Sequence, residues 1–307
     1  MIAAARLGMK VASVANIGDD QYGQFLREVL WEEGVYHLYP LAPHAFREEL
    51  KRTLLCFVLI GPEAQHGFCS RYDFGPWPLL PGVDSLTPAT CKVLEDTHAL
   101  FLNGFIFDEL PARVVLEAVM HARRAGAAVF FDAGPRCWTL LQGQRRAALD
   151  AILDVTDVVL MTQEEAQAVT GEADPEAAAA HILNRPHSQT RWCVVKMGGE
   201  GAVLCSCHPS ENFRQHALKV DVKDTVGCGD SFAAAVVLGY TRKQAIPQIM
   251  ALANARAAGH GSRNGSSNGS RYSVEHGEAA HGLHDPIAVS GAIQLLQQTL
   301  RGTEAVR

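Results

Sequence analysis

The sequence predicts an α/β protein built on a doubly wound sheet, and three observations carry that expectation. Short apolar runs alternate with helical segments along most of the 307 residues. The runs are apolar throughout rather than at every second position, as strands are when helices cover both sheet faces. The helical segments fall between the runs, the arrangement that links strands of a parallel sheet.

Strands are expected at residues 10–15, 53–60, 99–103, 128–132, 158–161 and 192–196. Helices are expected at 21–31, 112–125, 144–152, 164–169, 176–183, 231–240 and 243–258. Two regions break the alternation. Residues 36–74 carry strand signals and Pro, His and Gly turns with little helix, which reads as a small β flap. Residues 259–284 are rich in Gly, Ser, Asn and His, cannot supply a core and are expected to be mobile. An amphipathic helix is expected near 288–300, within a C-terminal stretch 285–307. The main domain is therefore placed at 1–258.

Composition excludes several classes. The chain is 48% hydrophobic and 20% charged, an ordinary globular balance with length enough for a large core. A net charge of −6 without a long basic run leaves no footprint for nucleic acid or an anionic membrane. No apolar stretch is long enough to span a bilayer. Eight cysteines without a C-x-x-C pair, several inside apolar runs, read as free thiols in a reducing compartment. Cys205 and Cys207 share one face of a strand and have no further ligands in sequence to make a metal site.

The chemical signal is the run Asp224-Thr-Val-Gly-Cys-Gly-Asp230, between a strand-like stretch at 217–222 and an apolar helix. Gly227 and Gly229 let successive backbone N–H groups converge. The open N–H groups of the next helix and its dipole add to that cradle for a transferring phosphoryl group. Asp230, in the first turn, is placed to accept a hydroxyl proton as the oxygen attacks phosphorus. A lone G-x-G-D is more often a turn with a helix cap; the full string and its setting favour phosphate chemistry. Taken singly, Glu165 reads as a solvated acid in a first helical turn. Asn254 alone reads as an interior-helix polar residue, and Asn103-Gly104 and 132–136 as strand-end turns.

That string resembles the second signature of the PfkB/ribokinase family of carbohydrate kinases. Other landmarks follow in family order: residues 5–12, then 16–20 with Gly23; Thr162-Gln-Glu-Glu165; Lys196-Met-Gly198-Gly-Glu-Gly201; and Ala253-Asn254-Ala255. The resemblance implies Asp230 as catalytic base and Gly227, Cys228 and Gly229 as anion hole. It implies nucleotide contacts from Lys196, Gly198, Gly201 and Asn254, and Glu165 as the carboxylate that organises Mg²⁺ through water. It also implies Asp224 at a monovalent-cation (K⁺) site, and it places Asn103 and Gly104 near substrate. The implied fold is a ribokinase-like doubly wound three-layer αβα sandwich with a small β lid. The implied ligands are ATP, Mg²⁺ and a small fructose- or ribose-like sugar, with a homodimer formed through the lid.

The match begins inside the family's first signature, so the first strand and the sugar-binding run before it are expected to be missing. By the same reading the protein is cytoplasmic, or organellar if a transit peptide preceded this start. Thr162 stands where the family has Asn, and Cys228 where Ala is common. A thiol at a helix N-terminus is expected to have a lowered pKa and to be open to oxidation. Two functions follow: an active sugar kinase, or a catalytically weak homologue that acts by binding.

Overall fold

The computed structural model describes residues 1–35, 37–42, 51–60, 66–207 and 210–262. The chain opens with α1 (Ile2–Arg6), β1 (Ala12–Val14), α2 (Gln21–Glu32) and β2 (His37–Tyr39). β3 (Cys56–Ile60) and β4 (His66–Ser70) follow, then a 3-10 turn at Arg71–Phe74 and α3 (Pro88–Glu95). The central run is β5 (Ala99–Asn103), α4 (Ile106–Glu109), α5 (Ala112–Arg124), β6 (Ala128–Asp132), α6 (Cys137–Leu140), α7 (Arg145–Val155) and β7 (Val158–Thr162). Next come α8 (Gln163–Thr170), α9 (Pro175–Leu183), β8 (Trp192–Lys196), β9 (Ala202–Cys207) and β10 (Ser210–Gln215). α10 (Cys228–Thr241) and α11 (Ile246–Gly261) close the described chain. It divides into two units, Met1–Val195 with Cys205–Glu211, and Lys196–Leu204 with Asn212–Arg307.

The strands form a six-stranded sheet in the order β10-β9-β8-β7-β6-β5. β5, β6 and β7 run parallel, with Asn103 level with Asp132 and Asp132 level with Leu160. The connection 197–201 between β8 and β9 is too short for a parallel crossover, so the sheet is mixed. Phe130 and Phe131 are adjacent in β6, point to opposite faces and are both fully buried. Both faces of the sheet are therefore covered at β6, as the solidly apolar strands anticipated. In the first unit α5 packs on β6, α3 and α7, and α8 packs on β7 and α9.

β1 and β2 pair in parallel as a sheet of their own, and β5 has one strand neighbour, β6. Tight backbone contacts hold this region. A Cβ on Gly23 would stand 1.9 Å from Gly18 O, and one on Gly18 2.3 Å from Thr53 N. Asp20 caps α2 by accepting from Gly23 N at 2.8 Å and also takes Thr53 N at 2.8 Å and Thr53 Oγ1 at 2.7 Å. The small flap is the antiparallel hairpin of β3 and β4, with Val58 opposite Phe68. The rest of the expected flap, at 36, 43–50 and 61–65, lies outside the described residues.

Three expectations change. Residues 217–222 form no strand. The sheet already ends at β10, Val222 is exposed, and the next two N–H groups, of Lys223 and Asp224, bond Gly261 O instead. The last helix starts at Ile246 rather than 243, because Pro247 suits a first turn and Lys243 takes φ +53°. That helix runs through Gly261, so 259–261 belong to it and not to the Gly/Ser segment. Residues 263–284 and the helix expected at 288–300 lie outside the described residues. No described helix is long and apolar enough to cross a membrane.

Candidate active site

The second unit holds the phosphate motif. Cys228 N donates to Thr225 O at 3.1 Å, closing a turn whose third residue, Gly227, has φ +83° and ψ −2°. Those are the angles of a type II turn at the position that favours glycine. α10 starts directly after it. The N–H groups of Gly227, Gly229 and Asp230 have no acceptor among the described residues, while that of Cys228 is committed to the turn. A side chain on Gly229 would come to 3.7 Å from Lys196 Nζ, so an ammonium stands beside the open amides. The result is a cradle of backbone donors, helix dipole and one cation, which fits the phosphates of a nucleotide. Asp230 is exposed in the first turn of α10, and its carboxylate has no partner among the described residues.

The glycine turn after β8 is built from steric need. Gly198 has φ +54° and Gly201 φ +102°, and a Cβ on Gly201 would lie 2.0 Å from Gln215 O. Met197 N donates to Gly201 O at 2.8 Å and closes the turn. Asn254 is buried in α11 and gives its Nδ2 to Met250 O at 3.0 Å. Asp224 accepts Val226 N at 2.9 Å through Oδ1. Among the described residues no three His, Cys, Asp or Glu side chains cluster to hold a metal.

The Cys228 thiol contradicts its expected low pKa. Burial first, then the charge of Asp224, push it up. The helix dipole acts on a half-buried group with an acid beside it, and desolvation of the thiolate wins.

The first unit places the remaining residues. Glu165 sits buried in α8, where Oε2 accepts Thr162 N at 2.8 Å and Glu165 N donates to Thr162 Oγ1 at 3.2 Å. This is a reciprocal capping box, so the Thr at 162 serves the helix start. At the carboxyl edge of β5 and β6, Asn103 Oδ1 accepts Phe105 N at 3.2 Å and Gly104 N donates to Asp132 O at 3.0 Å. A Cβ on Gly104 would lie 2.2 Å from Ala133 O, which explains the glycine by packing alone.

Sequence reading missed a charge cluster beside that edge. Arg136 Nη2 donates to Asp73 Oδ1 at 2.6 Å, and Arg145 Nη2 to Asp108 Oδ1 at 2.5 Å. Arg136 Nε stands 3.1 Å from Asp108 Oδ2 as an ion pair without hydrogen-bond alignment. The guanidinium of Arg136 lies 4.7 Å from the Phe105 ring centroid, and that of Arg145 4.7 Å from the Trp77 ring centroid. Asp108 is fully buried, and burial raises its pKa against both arginines. Asp73 is held below the usual carboxylate range, first by its hydrogen bond from Arg136. Asp73, Asp108, Arg136 and Arg145 lie in four separate segments, so no local pattern announces the cluster. His260 was also missed: its Nε2 lies 2.7 Å from Val226 O in the phosphate turn.

The chain is 29% identical over 261 residues to a 5-dehydro-2-deoxygluconokinase of Shouchella clausii, covering 84% of this chain and 76% of that one. It is 26% identical over 262 residues to the Bacillus subtilis enzyme of the same name, covering 84% and 77%. Among solved structures, an E. coli protein assigned as a ribokinase II, in complex with ATP and Mg²⁺, superposes with a TM-score of 0.70. That pair is 24% identical, covering 87% of this chain and 82% of the other. Arabidopsis thaliana ribokinase, complexed with ribose and ATP, gives a TM-score of 0.66 at 17% identity, covering 86% and 80%. The model of the pfkB family of carbohydrate kinases matches residues 1–271, and the chain belongs to that family.

Proposed function

We propose that the chain is an ATP- and Mg²⁺-dependent kinase that phosphorylates a hydroxyl of a small sugar or sugar acid, with Asp230 as the base. The carrying observation is the Asp230 carboxylate, without a partner among the described residues, in the first turn of α10, which opens with the free amides of Gly227 and Gly229. Asp230 takes the proton of the acceptor hydroxyl as its oxygen attacks. The amides of Gly227 and Gly229, with Lys196 near them, hold the charge that builds on the phosphoryl oxygens. ATP supplies the phosphoryl group, and Mg²⁺ neutralises charge on it.

In this reading Glu165 orders the water shell of Mg²⁺, Asp224 borders a K⁺ site, and Gly198, Gly201 and Asn254 lie along the nucleotide. A sugar acid is favoured over fructose or ribose by the names of the curated relatives, whose substrate is a gluconate. Asn103 and Gly104, at the level carboxyl ends of β5 and β6, remain the proposed substrate edge. The flap hairpin exposes Phe57 and Leu59 on one face, which supports a dimer through that face. The alternative, a homologue that binds without turnover, draws support from the capping box that occupies Thr162 and Glu165.

The test is ADP release over a panel of sugars and sugar acids, with wild type against Asp230→Asn. Loss of a general base lowers kcat by about 10²–10⁴-fold. Equal ADP release by the two proteins would remove Asp230 from the reaction. ATP binding without ADP release on any acceptor would favour the binding homologue.

A further inference from the structure

The phosphate turn is pinned peptide by peptide. The 225–226 peptide is held through Val226 N, which donates to Asp224 Oδ1 at 2.9 Å. The 227–228 peptide is held at both ends: Cys228 N donates to Thr225 O at 3.1 Å, and Gly227 O accepts Ser231 N at 2.9 Å. Asp224 N and Lys223 N both donate to Gly261 O, at 3.2 and 2.7 Å. Among the described residues, the peptide between Val226 and Gly227 has a single tie, from His260 Nε2 to Val226 O at 2.7 Å. A carbonyl oxygen only accepts, so Nε2 carries the proton in this contact.

That peptide is the one free to move. The central peptide of a type II turn can flip to give a type I turn, which needs only a change of ψ at one residue and φ at the next. The next residue here is Gly227, for which φ of either sign is accessible. A flip reverses the carbonyl of Val226 and, because the peptide is trans and planar, reverses the N–H of Gly227 with it. The observed φ of +83° at Gly227 is the type II form. The imidazole ring also lies against Gly227 itself, since a Cβ there would meet His260 Nε2 at 2.9 Å.

We propose that His260, at the end of α11, is a positioning residue for the phosphate site. By holding Val226 O it locks the 226–227 peptide in the type II orientation and so keeps the Gly227 N–H turned away from α11, as an anion donor. The cradle is then built from two helices of the second unit: α10 supplies its N-terminus, and α11 sets the aim of one donor. This rests on the kinase reading above. Either the neutral Nε2–H tautomer or the imidazolium can make the bond, so the lock does not depend on the charge of His260.

Three full-length proteins test it: wild type, His260→Ala and His260→Gln, the last keeping an N–H donor on a side chain of similar reach. Each is measured for steady-state ADP release and for its crystal structure at the turn. Loss of a positioned anion donor costs about 10²–10³-fold in kcat when complete. The expectation for His260→Ala is a fall in kcat of about tenfold or more, with KM for the acceptor sugar little changed, partial recovery in His260→Gln, and Gly227 at negative or mixed φ. Wild-type kcat in His260→Ala, or a type II turn kept intact in its crystal structure, overturns the proposal. If wild type releases no ADP with any acceptor, the kinase reading falls. The lock is then judged by the crystal structures alone: a flipped turn in His260→Ala sustains it and an unchanged turn overturns it.

Discussion

At the scale of single residues, the motif glycines separate into those that aim backbone and those that make room. Gly227 takes a left-handed conformation that a side chain resists, and it does so in the turn proposed to point an amide at the phosphate. Gly104 and Gly201 are required by close approach, since a Cβ would come within 2.2 Å of Ala133 O and 2.0 Å of Gln215 O respectively. Gly104→Ala is therefore expected to lower stability by about 1–3 kcal/mol, read as the denaturant midpoint. The cysteines divide by solvent. Burial pushes the Cys137 thiol up to about 12, whereas Cys56 is exposed. In the folded protein at pH 8, iodoacetamide should alkylate Cys56 and leave Cys137 unmodified until unfolding; early labelling of Cys137 would contradict its burial.

At the scale of elements, helix ends decide most of the local structure. α2, α3, α8 and α9 each begin at a side-chain cap, from Asp20, Thr87, Thr162 and Asp174. The α8 cap bears on function, because Glu165 is both half of the capping box and the proposed organiser of Mg²⁺. Thr162→Ala should cost about 1 kcal/mol of stability and loosen Glu165, raising KM for MgATP. Thr162→Asn keeps a good cap and should leave stability near wild type. An unchanged KM in both variants would separate Glu165 from nucleotide binding. Strands β5, β6 and β8 were legible to the residue because each is a short apolar run bounded by turns. The stretch 217–222 looked similar and forms no strand, because strand formation needs a sheet edge to pair with and the chain here turns to Gly261 O instead.

At the scale of the molecule, charge links segments distant in sequence. Asp108, from α4, lies between Arg136 and Arg145, and Asp73 closes on Arg136 from the turn after β4. Asp108→Ala leaves buried guanidinium groups without their carboxylate and should destabilise the fold by about 3–5 kcal/mol. The pH dependence has two opposed parts. Asp20 and Asp73 have lowered pKa values, from Thr53 hydrogen bonds and from Arg136 respectively. Their contribution is present above the ordinary carboxylate range and is lost as pH falls through their lowered values. Asp108 and Glu109 are raised by burial, so the folded state takes up their protons earlier, and stability gains as pH falls towards the ordinary range. Thermal midpoints should thus rise somewhat as pH falls from neutral towards about 4 and drop steeply below it. Asp73→Asn should make the acid limb shallower; an unchanged limb would remove Asp73 from it. The flap dimer is checked by sedimentation, with Phe57→Asp expected to shift the protein to monomer.

The sequence alone determined the strand–helix alternation, the core of solidly apolar strands and the glycine turn that opens a helix with Asp230 in its first turn. Each of these is a local pattern: a period, a run or a turn chemistry read within a few residues. Tertiary structure decided what rests on long-range contact. It set β1 and β2 apart from the six-stranded sheet, raised the Cys228 thiol by burial, gathered Asp73, Asp108, Arg136 and Arg145, and brought His260 onto the phosphate turn. His260 lies 34 residues from Val226 in sequence. Only the packing of α11 against the start of α10 fixes that bond, and no periodicity or motif in the chain encodes it.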